Sequence, residues 1–404
     1  MVDVRINKSE SLKIDDCEEL CSLQENSWGL LTQSMSLGEL SIRKWAQLVS
    51  VGAEEEREEL MQLKIPCTIR KLTIWDCERL EKLSTTLHYI SSLRVLELWY
   101  CPNLISLSNN YSPSNLKILD IGCCRNIQCL FEEGENVNIG SVCLLEQLNI
   151  SDCASLISLS KYNLPSNLKS LEIFDCENLR CLLEEGENVN LGSICLLEQL
   201  NISKCPSLIS LSKYNLPSNL KSLEIFDCEN LRCLLEEGEN VNLSSACLLE
   251  HLKIRKCPSL ISLSNNNLPS NLKSLEIANC KNLRCLLKEG ENVDISNASL
   301  LEELYIGYCP SLVSLSTRRE LPTRLKRLQI EACGKLESIA QEIQDNSSLE
   351  SIVINWCGNI KYLPQGLNKL SHLEWIGLSD CSIWFPSKKW FAYLKPQSPP
   401  PQLL

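Results

Sequence analysis

The chain has 404 residues, with 51 Asp and Glu against 39 Lys and Arg, for a formal net charge of −12. That acidic balance argues against a nucleic-acid partner, which needs a basic stripe. No apolar run approaches the ~20 residues that span a bilayer, and the start, Met-Val-Asp-Val-Arg-Ile-Asn, carries no apolar signal-peptide core.

The first predicted element is a short strand around Ser11–Ile14. It opens a pattern, L-x-x-L-x-I-x-x-C-x-x-L-x-x-L, that recurs fifteen times; Leu171, Ile173, Cys176, Leu179 and Leu182 show it well. With slots counted from the first leucine, the ninth falls at Cys17, Trp45, Cys77, Cys101, Cys124, Cys153, Cys176, Cys205, Cys228, Cys257, Cys280, Cys309, Cys333, Cys357 and Cys381. A leucine-based period in the twenties marks a leucine-rich-repeat solenoid. The expected fold is therefore α/β: a horseshoe of about 15 repeats, a parallel sheet on its concave face and a mostly irregular convex side. Alternate strand residues point to opposite faces, so Leu171 and Ile173 point inward and Glu172 outward. One repeat cannot bury its own leucines, but stacked repeats share a core.

In chain order, residues 1–8 are a residual N-terminal segment and 9–395 the repeat domain. No polar cap precedes the first strand, and an open solenoid end exposes core. Something is therefore expected before residue 1 or docked against it, as in the C-terminal part of a larger protein. Residues 52–60 are an acidic insertion, expected as a solvated loop or short helix on the outer face. From about 122 to 309 the spacings alternate 29 and 23, a 52-residue double unit. Leu145–Leu196 and Leu197–Leu248 match at 48 of 52 positions, as a recent tandem duplication would leave them. The four differences are Asp152/Lys204, Ala154/Pro206, Gly192/Ser244 and Ile194/Ala246, and the first reverses a charge on the outward face.

The longer repeats carry Glu-Glu-Gly-Glu-Asn at 132–136, 184–188 and 236–240, and Lys-Glu-Gly-Glu-Asn at 288–292. These read as outer turns opened by glycine; their carboxylates are not spaced as a calcium loop. Pro165, Pro217 and Pro269 are expected to start extended segments without removing a needed ladder donor. After Cys381, Trp384, Phe385, Trp390, Phe391 and Tyr393 are expected to cover the last strand, and 396–404 is a Pro-rich tail.

Of 24 cysteines, fourteen occupy the ninth slot. They are expected as small buried thiols filling a turn. Disulfides and zinc are the rival readings, but the recurring five-residue pairs such as Cys176/Cys181 follow from the repeat itself, and three histidines give zinc little to complete its sites. Reduced thiols suit the cytosol. Seven N-x-S/T sequons occur, of which Asn149 and Asn201 arise from the strand pattern L-N-I-S.

The stretches Leu-Pro-Ser-Asn-Leu-Lys-Ser-Leu-Glu-Ile-Phe-Asp-Cys-Glu-Asn-Leu (164–179) and Leu-Lys-Ile-Arg-Lys-Cys-Pro-Ser-Leu (252–260) resemble the leucine-rich-repeat region of plant nucleotide-binding disease-resistance proteins, over roughly residues 9–381. The resemblance implies a cytoplasmic immune receptor. Its repeats would sense a pathogen effector or a guarded host protein and restrain a nucleotide-binding switch. The sequence departs from the full family plan: it has no G-x-x-x-x-G-K-[ST] phosphate loop.

A partner would meet slots 3, 5, 7 and 8, which flank the strand and point outward. These 60 positions hold nine of the 22 aromatics, where an even spread would put about three: Trp75, Trp99, Tyr100, Phe174, Phe226, Tyr305, Tyr308, Trp356 and Trp375. Such residues supply much interface energy, although they could instead cover neighbouring side chains. One strand is basic, with His251, Lys253, Arg255 and Lys256 outward, between Glu224 and Asp227 on one side and Glu276 on the other. Cross-strand charge pairing and docking of an acidic partner both fit it. The expected function is protein recognition, with no cofactor, metal, nucleic acid or membrane. A standalone scaffold, adaptor or decoy is the alternative. No catalytic motif surrounds His88, His251 or His372.

Overall fold

The computed structural model of the chain describes residues 3–7, 11–16, 37–51, 62–63, 65–83, 87, 90–105, 107, 115–131, 144–160, 164–183, 196–211, 216–235, 248–263, 268–287, 295, 298–315, 321–345 and 347–383. Two compact units result, Met1–Leu220 with Asp227–Glu229, and Lys221–Phe226 with Asn230–Leu404.

Each repeat contributes one five-residue strand covering slots 3 to 7. The first unit stacks Ser11–Asp15, Glu39–Arg43, Lys71–Trp75, Val95–Trp99, Ile118–Gly122, Gln147–Ser151, Ser170–Phe174 and Gln199–Ser203. The second stacks Ser222–Phe226, His251–Arg255, Ser274–Ala278, Glu303–Gly307, Arg327–Glu331, Ser351–Asn355 and Trp375–Ser379. Within each unit the strands run parallel and in register, slot against slot, as Leu148 faces Leu171 and Ile150 faces Ile173. A single side-chain pattern therefore yields continuous rows. Slots 4 and 6 form the core, with Leu171, Ile173, Leu223 and Ile225 almost fully buried.

The strands start and end on backbone bonds. Slot-2 and slot-3 amides share the slot-2 carbonyl of the repeat before, as Arg94 and Val95 do on Arg70 O at 2.8 and 3.1 Å. At the other end, slot 8 has positive φ in all fifteen repeats, from Asp16 (59°) to Asp380 (53°). Regular extension would turn slot 8 inward and slot 9 outward. The left-handed residue reverses that order, so slot 9 reaches the core beside slot 6. The conformation costs a non-glycine residue about 1–2 kcal/mol. Three bonds offset it, each worth about 0.5–1.5 kcal/mol or less for a thiol. The slot-8 amide donates to the next repeat's slot-7 carbonyl (Asp76 N to Trp99 O, 2.9 Å). The slot-9 thiol donates to its own slot-7 carbonyl (Cys309 Sγ to Gly307 O, 3.3 Å). The slot-12 amide closes on the slot-9 carbonyl (Leu312 N to Cys309 O, 3.2 Å).

Every cysteine among the described residues is a free thiol, and the slot-9 thiols from Cys77 to Cys357 are buried. Burial pushes the Cys153 thiol up to about 12, which makes that thiol a packing element of low nucleophilicity.

Some segments differ from their sequence expectation. Residues 1–8 were read as a residual segment, but Asp3–Asn7 pairs antiparallel with Ser11–Asp15. An edge strand offers a row of unpaired amides and carbonyls that any extended neighbour can take up. Pro165 does not start an extended run; its carbonyl accepts the Leu168 amide at 3.1 Å across a turn, as Pro217 and Pro269 do for Leu220 and Leu272. The far flank is partly ordered, with Cys129–Phe131 paired to Ser158–Ser160 and Ser50–Val51 between Gln62–Leu63 and Lys82–Leu83. Helical geometry among the described residues is 3-10, in the turn Leu367–Lys369 and at the single positions Leu87 and Ile295. The insertion at 52–60, the four acidic Gly-containing segments, His88, the aromatic stretch from Trp384 to Tyr393 and the tail at 396–404 lie outside the described residues.

Candidate protein-binding face

Because neighbouring strands are in register, slot 7 of one strand faces slot 7 of the next. Arg43 faces Trp75, Trp75 faces Trp99, and Trp99 faces Gly122. The Trp75 and Trp99 rings stack with centroids 5.6 Å apart and planes 22° apart. Tyr100, on the left-handed position beside Trp99, tilts against Trp75 at 5.0 Å and 45°. The Arg43 guanidinium lies 5.2 Å from the Trp75 centroid. Gly122 makes the room: a Cβ there would sit 2.1 Å from Trp99 Cζ3. Tyr100 remains 44% exposed. Next to it, Cys123 Sγ donates to Asp152 Oδ2 at 3.2 Å, and burial and that carboxylate push the thiol up.

Other aromatics stand apart from this cluster. Phe174 is 45% exposed, with the Lys204 ammonium 4.8 Å from its ring centre. In the second unit Lys256 stands over Phe226 in the same way, at 4.8 Å; such contacts contribute about 0.5–1 kcal/mol at exposed sites. Tyr305 lies over Gly307, and its hydroxyl donates to Glu331 Oε2 at 3.2 Å. Burial first, and then the Glu331 charge, raise that phenol above its ordinary value. Tyr308 and Trp356 occupy left-handed positions and are 45% and 50% exposed. Trp375 rests beside Gly377.

The basic strand is largely paired on its own face. Lys253 Nζ lies 3.3 Å from Glu224 Oε1, Arg255 pairs with Glu276, and Lys256 covers Phe226. His251 is exposed at the strand start. Cross-strand pairing thus describes Lys253 and Arg255 as they stand. Arg43 and Lys204 escaped the sequence reading as site residues. Their signal was the slot alignment, which puts each beside an aromatic in the neighbouring repeat. Four outward slots are corrected: Gly122, Cys123, Ala278 and Gly307 are buried.

No family model matches the chain. Among curated proteins it is 26% identical over 287 residues to the Arabidopsis thaliana Protein SUPPRESSOR OF npr1-1, CONSTITUTIVE 1, covering 71% of this chain and 17% of that protein. A second Arabidopsis thaliana protein, named for disease resistance, is 32% identical over 141 residues, covering 35% of this chain and 9% of that one. This is a leucine-rich-repeat chain that resembles plant disease-resistance proteins. It spans under a fifth of the length of either relative. Among solved structures, a leucine-rich-repeat protein of Leptospira interrogans is similar at 18% identity, covering 94% of this chain and 93% of that one, with a TM-score of 0.35.

For this repeat chain, no helix among the described residues is long and apolar enough to cross a membrane. No group of three or more described His, Cys, Asp or Glu residues is arranged to hold a metal ion.

Proposed function

We propose that the outward face of the parallel sheet is a protein-recognition surface, and that the chain is the sensor region of a plant intracellular immune receptor. The observation that carries the reading is the Arg43–Trp75–Trp99–Tyr100 cluster, a preassembled aromatic patch with a cation at its edge. Tryptophan, tyrosine and arginine dominate interface hot spots, and stacked rings have already given up rotamer freedom before a partner arrives. On this reading the partner is a pathogen effector or a guarded host protein. In the full receptor the same repeats restrain a nucleotide-binding switch. Free, unoxidised thiols support a cytoplasmic setting.

The test pairs Trp99→Ala with Tyr100→Ala. Wild type and double variant are immobilised, exposed to plant extract, and the retained proteins quantified by mass spectrometry. The variant should keep the wild-type far-UV circular dichroism. At least one retained protein should fall about tenfold, or ~1.4 kcal/mol. If the two baits retain the same proteins in the same amounts, the cluster is not the recognition surface.

A further inference from the structure

Four aromatic rings stand at slot 7: Trp75, Trp99, Phe174 and Phe226. Three of them are covered by the slot-8 side chain of the following repeat. Tyr100 lies 5.0 Å from Trp75, Lys204 lies 4.8 Å from Phe174, and Lys256 lies 4.8 Å from Phe226. The cause is common to all three. In-register strands set each slot 7 against the next, and the left-handed slot 8 that follows has nearly one conformation, with φ of 52–54°.

Trp99 is the exception. Its successor at slot 8 is Cys123, with φ of 55°. That thiol is too short to cover an indole, and it donates to Asp152 Oδ2 at 3.2 Å. Its successor at slot 7 is Gly122, over which the ring itself lies, so no slot-7 side chain stands in front of it. Trp99 is half-exposed, and no cation lies over it among the described residues.

The charge around this ring is mostly negative. Asp120 is at slot 5 of the strand that carries Gly122. Lys71 is taken by Glu97 at 2.7 Å, and Asp120 has no ion pair among the described residues. Burial first, then Glu97, raise the Asp120 carboxyl despite Lys71. Arg125 offsets part of the negative field at Cys123, but it does not reach the Trp99 ring.

An exposed indole beside unpaired carboxylates suits an organic cation. The ring face attracts it through the quadrupole and the carboxylates supply counter-charge; an acidic group would be repelled. A small free cation needs a concave pocket that buries most of its surface. Slots 3 to 8 form an open sheet face, on which a protein segment can also cover Tyr100, 44% exposed.

We propose that the Trp99 end of the cluster receives a lysine or arginine side chain of the partner protein, placed as Lys204 is on Phe174, with Asp120 and Asp152 as counter-charges. The segment that contacts this face is therefore basic. The proposal rests on the sheet face being the recognition surface and adds the chemistry of what it recognises.

The probe is a short fluorescein-labelled peptide of alternating arginine and serine, which puts its arginines on one face when extended. Its anisotropy is titrated with the full chain. Wild type should bind it and should not bind the same peptide with glutamate for arginine. Cys123→Lys gives Trp99 the cover that Lys204 gives Phe174, and should weaken binding about tenfold. Slot 8 already holds Lys44, Lys204 and Lys256 in this conformation, so the variant should fold, as circular dichroism checks. Asp120→Asn should weaken binding too. Ser351→Lys adds the same charge to the second unit and should bind like wild type, which separates the site from the chain's net charge of −12. Four results would each overturn the proposal: no binding of the arginine peptide, unchanged binding by Cys123→Lys, equal weakening by Ser351→Lys, or spermine displacing the peptide at the peptide's own concentration. The extract test reads the other question separately. A retained protein lost from the Trp99→Ala and Tyr100→Ala bait, with no binding of the arginine peptide, keeps the recognition face and removes the basic partner.

Discussion

Asp120 faces Glu97 across one rung of the sheet. Glu97 is held by Lys71 at 2.7 Å and by the Thr73 hydroxyl at 2.9 Å. Asp120 is half-buried, and burial first, then the Glu97 charge, raise its carboxyl above the ordinary range. A carboxyl raised on folding contributes stability below its unfolded pKa and loses that contribution as pH rises through the folded value. At neutral pH the ionised group therefore works against the fold. Asp120→Asn is expected to raise the thermal midpoint modestly at pH 7 and to change it little near pH 3, about a unit below the ordinary carboxylate value. A lower midpoint at pH 7 would refute this account of the rung. Glu146 is the reverse case: Lys117 and Lys169, at 2.8 and 3.0 Å, hold its carboxyl below the ordinary value. Its contribution is present above the unfolded pKa and is lost as pH falls. At this scale the sequence placed the aromatics on the outward slots, but it did not reveal that Trp99, Tyr305 and Trp375 each lie beside a glycine that leaves them room. That fit depends on rotamers, which slot counting does not contain.

The turn after each strand is the element that the pattern implied least directly. Aspartate at six of fifteen slot-8 positions was the available hint, since Asp and Asn tolerate left-handed backbone best among side-chain-bearing residues. Lys, Tyr, Trp and Ala in the same conformation gave no such signal. The inward slot-9 thiol could be read from the sequence; the reversal that aims it inward could not. Ala332, at φ 50°, isolates the backbone cost because it has almost no side chain. Ala332→Val should destabilise by about 1–3 kcal/mol, the range for strained backbone, whereas Ala332→Asn should leave stability unchanged or slightly higher. Urea denaturation of the two variants checks the order. Equal midpoints would mean that the slot-8 conformation carries no penalty for a branched side chain.

For the whole molecule, the stacking of repeats could be read from fifteen returns of one motif, because leucines at fixed slots can be buried only against neighbours. The division into two compact units was not legible: the repeat runs through residues 220–230 without a break. Neither was the Asp3–Asn7 strand, whose sequence shows none of the repeat pattern. A solenoid's stability is close to a sum of repeat and nearest-neighbour terms, so damage is local in origin. Leu223 is fully buried and faces Leu252 in register. Leu223→Ala should cost about 2–5 kcal/mol, read as a lowered urea midpoint. A loss below about 1 kcal/mol would indicate that the neighbouring rows collapse into the space.

Asp152 and Lys204 are the same position in two nearly identical stretches, and both have φ of 52°. One carboxylate takes a hydrogen bond from Cys123; the other residue's ammonium covers Phe174. The backbone bonds around slot 8 make no use of the side chain, so opposite charges stand on one geometry. Duplication followed by a single substitution can therefore change what the surface offers a partner by two charge units while folding registers almost nothing. Heredity can keep the architecture and vary the surface chemistry separately, one repeat at a time.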